Sequence, residues 1–160
     1  MSLILDGTAG VTFPSGSGTQ AAQSKVLQVV QGTTSTSVTS ANSTWVATNL
    51  TASITPLFST SKILVFGQIF ISASVSACQP NITLYKASAS VISNSYGFGD
   101  FYSSAGGYSE IILPFSYLDS PATTSSTTYT IYGRNPSSTG SSQFADSNRI
   151  SVITLMEIAV

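Results

Sequence analysis

The chain has no histidine, one cysteine and a charged fraction of only 7%. Without histidine, the commonest general base and the commonest metal ligand are both missing. Cys78 is alone, so it has no internal disulfide partner and builds no thiolate cluster for zinc. A small buried hydrophobe is the favoured reading of it over a reactive thiol. The five basic residues, Lys25, Lys62, Lys86, Arg134 and Arg149, are scattered and form no stripe. They neutralise too few phosphates for nucleic-acid binding driven by counterion release. The most apolar run, "ILVFGQIFI" (Ile63–Ile71), is too short to cross a bilayer as a helix. After Met1 the apolar run ends at Asp6, so no secretory signal is expected.

The six carboxylates, Asp6, Asp100, Glu110, Asp119, Asp146 and Glu157, are far apart in sequence. Sugar hydrolysis needs two of them flanking one bond. Asp100 and Glu110 are the pair that a sandwich loop would bring together, but a turn-forming Asp and a solvated Glu is the favoured reading. No D-x-D-x-D run is present for calcium, and "PSGSG" is neither a nucleophile elbow nor a phosphate loop. The expectation is a protein that is not an enzyme and takes no metal or cofactor. The N-x-[ST] matches at Asn42, Asn49 and Asn81 carry no weight in a chain this rich in hydroxyl residues.

Serine and threonine fill the gap left by charge, at about a third of the chain, well above ordinary usage. The apolar fraction is an ordinary 42% and the net charge is −1, so this is not a disorder signature. A chain of 160 residues suits one domain, and a nearly uncharged surface favours association.

From Lys25 onward the pattern is that of strands. "LTASITP" places Leu50, Ala52 and Ile54 on one face and hydroxyl residues on the other, the period-two mark of a half-buried strand. "RISVITLMEI" carries bulk on both faces and is expected to be buried on two sides. "SKILVFGQIFISASV" is a long β-type run in which Gly67 signals a bulge or a close backbone approach. "KVLQVV", "STWVATN", "NITLYKA", "EIILPFSYL" and "TTYTIYG" are further strands, separated by clusters such as "TPLFSTS", "DSPATTSS" and "NPSSTGSS". No apolar 3.6 period runs beyond one turn. The expected fold is all-β, an antiparallel β-sandwich of jelly-roll-like form over residues 25–160.

Residues 1–24 differ. Leu3, Leu5, Val11, Phe13 and Pro14 lie in short apolar pieces broken by glycines at 7, 10, 16 and 18. Such pieces neither satisfy their backbone groups nor bury their side chains alone. They read as an extended attachment or intertwining arm, with those five residues as its contacts. A second constellation is "NSYGFGDFYSSAGGYSE", which sets Tyr96, Phe98, Phe101, Tyr102 and Tyr108 in a glycine- and serine-rich loop. Aromatics in such a frame stack on sugar rings or fill a partner's pocket, or else turn inward and cap the sandwich. They are the candidates for host or subunit contact.

"LDGTAGVTFPSGSGTQAA" (Leu5–Ala22) resembles the "LDGT-x-G-(I/V)-TFPDGS-x-Q" segment of tail-fibre and related virion proteins of tailed bacteriophages. "KVLQVV", "SITP…STSKILVFGQI", "LDSPATTSSTTYTIYG" and "SVITLMEI" look like successive parts of the same family, so the resemblance spans almost the whole chain. Ser15 stands where the family has Asp, and Gly18 is extra, so a differently shaped turn is expected there. The resemblance implies a virion structural protein, a short homotrimeric tail fibre or similar appendage whose knob displays a surface to host glycans. Its partners would be its own copies and other capsid, tail or baseplate proteins, with assembly in the host cytoplasm and no membrane insertion. The alternatives are a capsid decoration or cement protein and, further off, a carbohydrate-binding module.

Overall fold

The computed structural model describes residues 4–6, 10–12, 25–104, 107–137 and 139–160, the first two stretches as backbone alone. In chain order the strands are β1 (Ile4–Asp6), β2 (Gly10–Thr12), β3 (Val26–Thr34), β4 (Val38–Ser40), β5 (Val46–Ile54), β6 (Lys62–Ala73) and β7 (Asn81–Lys86). They continue as β8 (Ala89–Ser90), β9 (Gly99–Asp100), β10 (Ser109–Asp119), β11 (Thr127–Arg134), β12 (Ser142–Phe144) and β13 (Ser151–Ile158). There is no helix among the described residues.

Three pairs of neighbours are single strands interrupted by a loop. β3 and β4 run along β13 and β12 in one continuous line, and β8 and β9 share one edge of β7. Leaving aside β1 and β2, which pair only with each other, and counting each split strand once gives eight strands among the described residues. The first, eighth, third and sixth form one sheet (β3/β4–β13/β12–β6–β10). The second, seventh, fourth and fifth form the other (β5–β11–β7–β8/β9). All the strand pairings are antiparallel, and this order is that of a jelly roll. The expected sandwich is therefore the fold.

The core follows from strict alternation. On β5, Thr48, Leu50, Ala52 and Ile54 are buried while Ala47, Asn49, Thr51 and Ser53 are exposed. Ile63, Val65, Ile69 and Ile71 of β6 and Ile153 and Leu155 of β13 meet Ile82, Leu84, Tyr129 and Ile131 of the facing sheet. "STWVATN" and "LTASITP", two strands by sequence pattern, are one. Asn49 takes a left-handed φ of 63° where β5 slips against β11, a conformation Asn tolerates better than most residues. Gly67 marks a close approach and not a bulge, because β6 keeps unbroken register with β10 and β13 on either side of it. A Cβ there would meet the Phe115 ring at 2.9 Å and the Val152 carbonyl oxygen at 2.0 Å. Phe98 stacks on the same Phe115 ring at 5.5 Å.

The arm expected over residues 1–24 shows one ordered feature in its described part. β1 and β2 pair with each other, Leu5 opposite Val11, so these two pieces satisfy some of their backbone groups mutually. A three-residue hairpin of this kind is marginal by itself. Leu3, Phe13 and Pro14 lie outside the described residues.

At the centre of the sandwich, the fully buried Phe144 ring lies on Gly133 of the opposite sheet, where an added Cβ would come within 2.5 Å of it. Gly133→Ala should therefore cost about 1–3 kcal/mol by overpacking. A lower urea midpoint at unchanged slope is the expected result, and an unmoved midpoint contradicts this account of the core.

Candidate assembly surface

The sandwich has two outer faces, and they are chemically unlike. On the β5–β11–β7 sheet, hydroxyls pair across strands: Thr51 with Thr130 at 2.9 Å and Ser53 with Thr128 at 2.7 Å. Tyr85 stacks on Tyr132 at 3.9 Å, and the Arg134 guanidinium lies 4.3 Å from the Trp45 ring centre. Arg134 also donates to the carbonyls of Ser43 and Ser95 and to Asn81 Oδ1. This face is polar, and most of its groups satisfy one another, the buried Asn81 Nδ2 being an exception.

The outer face of the other sheet is built differently. Register aligns its outward residues in rows that cross all four strands. Leu118, Leu64, Met156 and Val29 form one row. Ser116, Phe66, Thr154 and Gln31 form the next, and Pro114, Gln68, Val152 and Thr33 the third. No charged side chain occupies any of these places. Over the second and third rows lies an open hollow of about 720 Å³, lined by Gln31, Phe66, Gln68, Pro114, Phe115 and Val152 among others. Charge stands at the two ends: Lys62 beyond the first row, and at the far end Arg149, paired with Glu110 at 2.8 Å and lying over the Phe70 ring. Seven of the twelve places are apolar and five carry neutral polar groups (Ser116, Thr154, Gln31, Gln68 and Thr33), so the face is uncharged and partly apolar and is the candidate interaction surface.

The edge of this sheet is blunted. β10 is an eleven-residue edge strand with exposed Ile111, Ile112 and Leu118, a shape that invites pairing with another chain. Pro114 sits at its middle and supplies no N–H for such a ladder. Association through the face is left open while association through the edge is impeded.

A loop at one end of the sandwich adds to this surface. Between β5 and β6, Leu57 and Phe58 are 59% and 57% exposed. Their backbone N–H groups donate to Glu157 Oε1 at 2.8 and 3.4 Å, and Gln28 Nε2 donates to Glu157 Oε2 at 2.6 Å and to the Thr55 carbonyl at 2.7 Å. Glu157 is fully buried. Burial pushes its carboxyl up, but the hydrogen bonds from Gln28 and from the Leu57 and Phe58 N–H groups outweigh it and hold the group below its ordinary value. At the same end, on the other side of Ile63, Asp119 takes a Lys86 ion pair at 3.0 Å and the Tyr129 hydroxyl at 2.6 Å. Burial, then the Asp119 bond, raises the Tyr129 hydroxyl far above its usual range.

The aromatic loop divides. Tyr96, Tyr102 and Tyr108 are exposed, whereas Phe98 and Phe101 are partly buried and pack against the core. The surface that this loop offers is therefore made of the three tyrosines, and the two phenylalanines cap the sandwich. Asp100 and Glu110 lie on different sheets with different partners, Gln79 for the first and Arg149 for the second. No cluster of three or more His, Cys, Asp or Glu occurs among the described residues, and no helix among them is long and apolar enough to cross a membrane. Leu57, Phe58 and Glu157 were not picked out by sequence reasoning. A Leu-Phe pair inside a turn cluster was the available signal.

No family model matches the chain, and no curated protein matches it. Among solved structures, a chain from infectious bursal disease virus, Gt strain, is similar over 100% of this chain and 43% of its own length, at 13% identity and a TM-score of 0.51. A D431N mutant VP2 protein of the same virus, from derived T=1 particles, is 14% identical over 99% of this chain and 41% of its own, at a TM-score of 0.46. This chain thus spans about two fifths of the length of the chains it matches. At such identity the first likeness establishes the shared all-β fold.

Glu157 makes the stability pH-dependent in a definite direction. Its folded carboxyl titrates below the unfolded one, so its contribution is whole above the unfolded value, about 4.3, and is lost as pH falls through the folded value. Glu157→Gln should unfold at lower urea than the parent at pH 7 and lose less on going to pH 3. Parallel losses in the two proteins contradict the assigned role.

Proposed function

We propose that this chain is a non-catalytic structural subunit of a virion, a short homotrimeric fibre of a tailed bacteriophage. Residues 25–160 form the displayed knob, and residues 1–24 attach or intertwine it. The observation that carries the reading is the uncharged outer face that crosses four strands of the β3–β13–β6–β10 sheet. A monomer in water gains nothing from such a face, whereas a subunit buries it. The resemblance of the leading segment and of four later blocks to tail-fibre proteins supports the fibre assignment. The fold shared with a chain from a virus structure is consistent with a place in a particle.

The exposed tyrosines, Tyr96, Tyr102 and Tyr108, supply apolar area with a polar tip, the equipment for weak sugar stacking. Repeated on many copies, weak contacts of this kind add up to useful avidity with a host glycan surface. A capsid decoration role is the second reading, favoured by the full-length fold likeness to a chain from a virus structure.

Gold-labelled antibody against the chain, applied to intact particles, separates these. Label at the tail is the expected result, label over the head shifts the assignment to decoration, and unlabelled particles overturn the virion reading.

A further inference from the structure

We infer that the Leu57–Phe58 loop of one copy seats in the hollow on the outer sheet face of a second copy, in a head-to-tail contact that closes into a ring. The inference rests on the assembly reading above and names its partner, another copy of this chain.

The loop has the properties of a prepared anchor. Two successive large apolar side chains stand in solvent on a connection that would ordinarily be mobile. Here it is fixed on both sides. Pro56 is buried, the Ser61 N–H closes on the Phe58 carbonyl at 3.1 Å, and the buried Glu157 carboxylate grips the Leu57 and Phe58 N–H groups. The same buried carboxylate that stabilises the fold also holds two exposed hydrophobes in place. It lowers the ordering cost when those side chains enter a partner, and aromatic anchors in preformed pockets dominate interface energy.

The hollow has the matching properties. Its apolar lining includes Phe66, Pro114 and Val152, and its polar groups are neutral amides and hydroxyls, Gln31, Gln68, Ser116 and Thr154. Neither it nor residues 55–60 carry a charge, so their contact strands no ion. At about 720 Å³ it falls within the roughly 300–1,000 Å³ of sites that enclose a small ligand, ample for one protruding side-chain pair. Extent also argues against two flat faces simply meeting. Four strands about 4.8 Å apart and three rows of outward residues give a footprint of roughly 400 Å², near half the ~800 Å² each partner contributes to a standard interface. A face-to-face pair would also leave both hollows empty, whereas an inserted loop fills one and adds the missing area. Loop and hollow occupy different places on one subunit, so the contact is heterologous and repeats around an axis.

The test uses the whole chain carrying Ser59→Cys, beside the intact anchor, in one preparation and Ser116→Cys in another. Cys78 is fully buried and stays out of the reaction. Treated with a short bis-maleimide, the mixture should yield cross-linked dimers, while either preparation alone should not. Cross-linking of the Ser116→Cys preparation alone, or none in the mixture, overturns the proposal. Because Leu57 and Phe58 are exposed, the Leu57→Ser, Phe58→Ser double variant should melt like the parent yet associate about 30-fold more weakly or less. Unchanged association also overturns it. Cross-linking by a chain that labels no particle would sustain this contact and remove the virion reading, and labelled particles without cross-linking would do the reverse.

Discussion

A sheet whose inner face is apolar and whose outer face is uncharged and partly apolar calls for two covers. The β3–β13–β6–β10 sheet finds one of them inside the molecule, where Ile63, Val65, Ile69, Ile71, Ile153 and Leu155 pack against the facing sheet. Its other face turns Leu64, Phe66, Val152, Met156, Pro114 and Leu118 to solvent. At about 25 cal/mol per Å² of apolar area, covering even a few hundred Å² is worth several kcal/mol, comparable to a whole domain's net stability. On this account the second cover comes from outside the monomer, from another copy of the chain, and the remaining features of the surface fit that proposal. The outer face of the partner sheet, with its paired hydroxyls and engaged Arg134, makes no such demand.

Two devices direct how that cover arrives. Pro114 interrupts the longest free edge, which discourages open-ended strand addition. Glu157 reaches from β13 to the loop before β6 and holds Leu57 and Phe58 outward. The same carboxylate belongs to the strand that also supplies Ile153 and Leu155 to the core and Val152 and Thr154 to the hollow, so β13 links all three. Few charges elsewhere, with Arg149 tied to Glu110 and Lys86 to Asp119, leave association to shape and apolar area.

Much of the fold was legible because a sandwich strand writes its inward positions at period two. Leu50, Ala52 and Ile54 could be assigned to the core from "LTASITP" alone. The short strands β4, β8, β9 and β12 were hidden, since three residues such as "SQF" carry no period and sit among turn formers. The outer face was half legible: bulk on both sides of "SVITLMEI" led to the expectation of burial on two sides, whereas the outward Val152, Met156 and Ile158 are only half-buried within the chain. The rows themselves were not, because Leu118, Leu64, Met156 and Val29 become neighbours only through pairings between distant segments. Glu157 gave no local sign of its task, since the loop it grips lies a hundred residues earlier. The aromatic loop held a clue in its chemistry, as the two rings without hydroxyls went inward and Tyr96, Tyr102 and Tyr108 stayed out.

The central claim is that the uncharged sheet face is covered by other copies of the chain. Sedimentation equilibrium on the 160-residue protein reads this directly. At concentrations on the order of 10 µM the account predicts a particle of three times 16.6 kDa, about 50 kDa. A single species of 16.6 kDa under those conditions would contradict it.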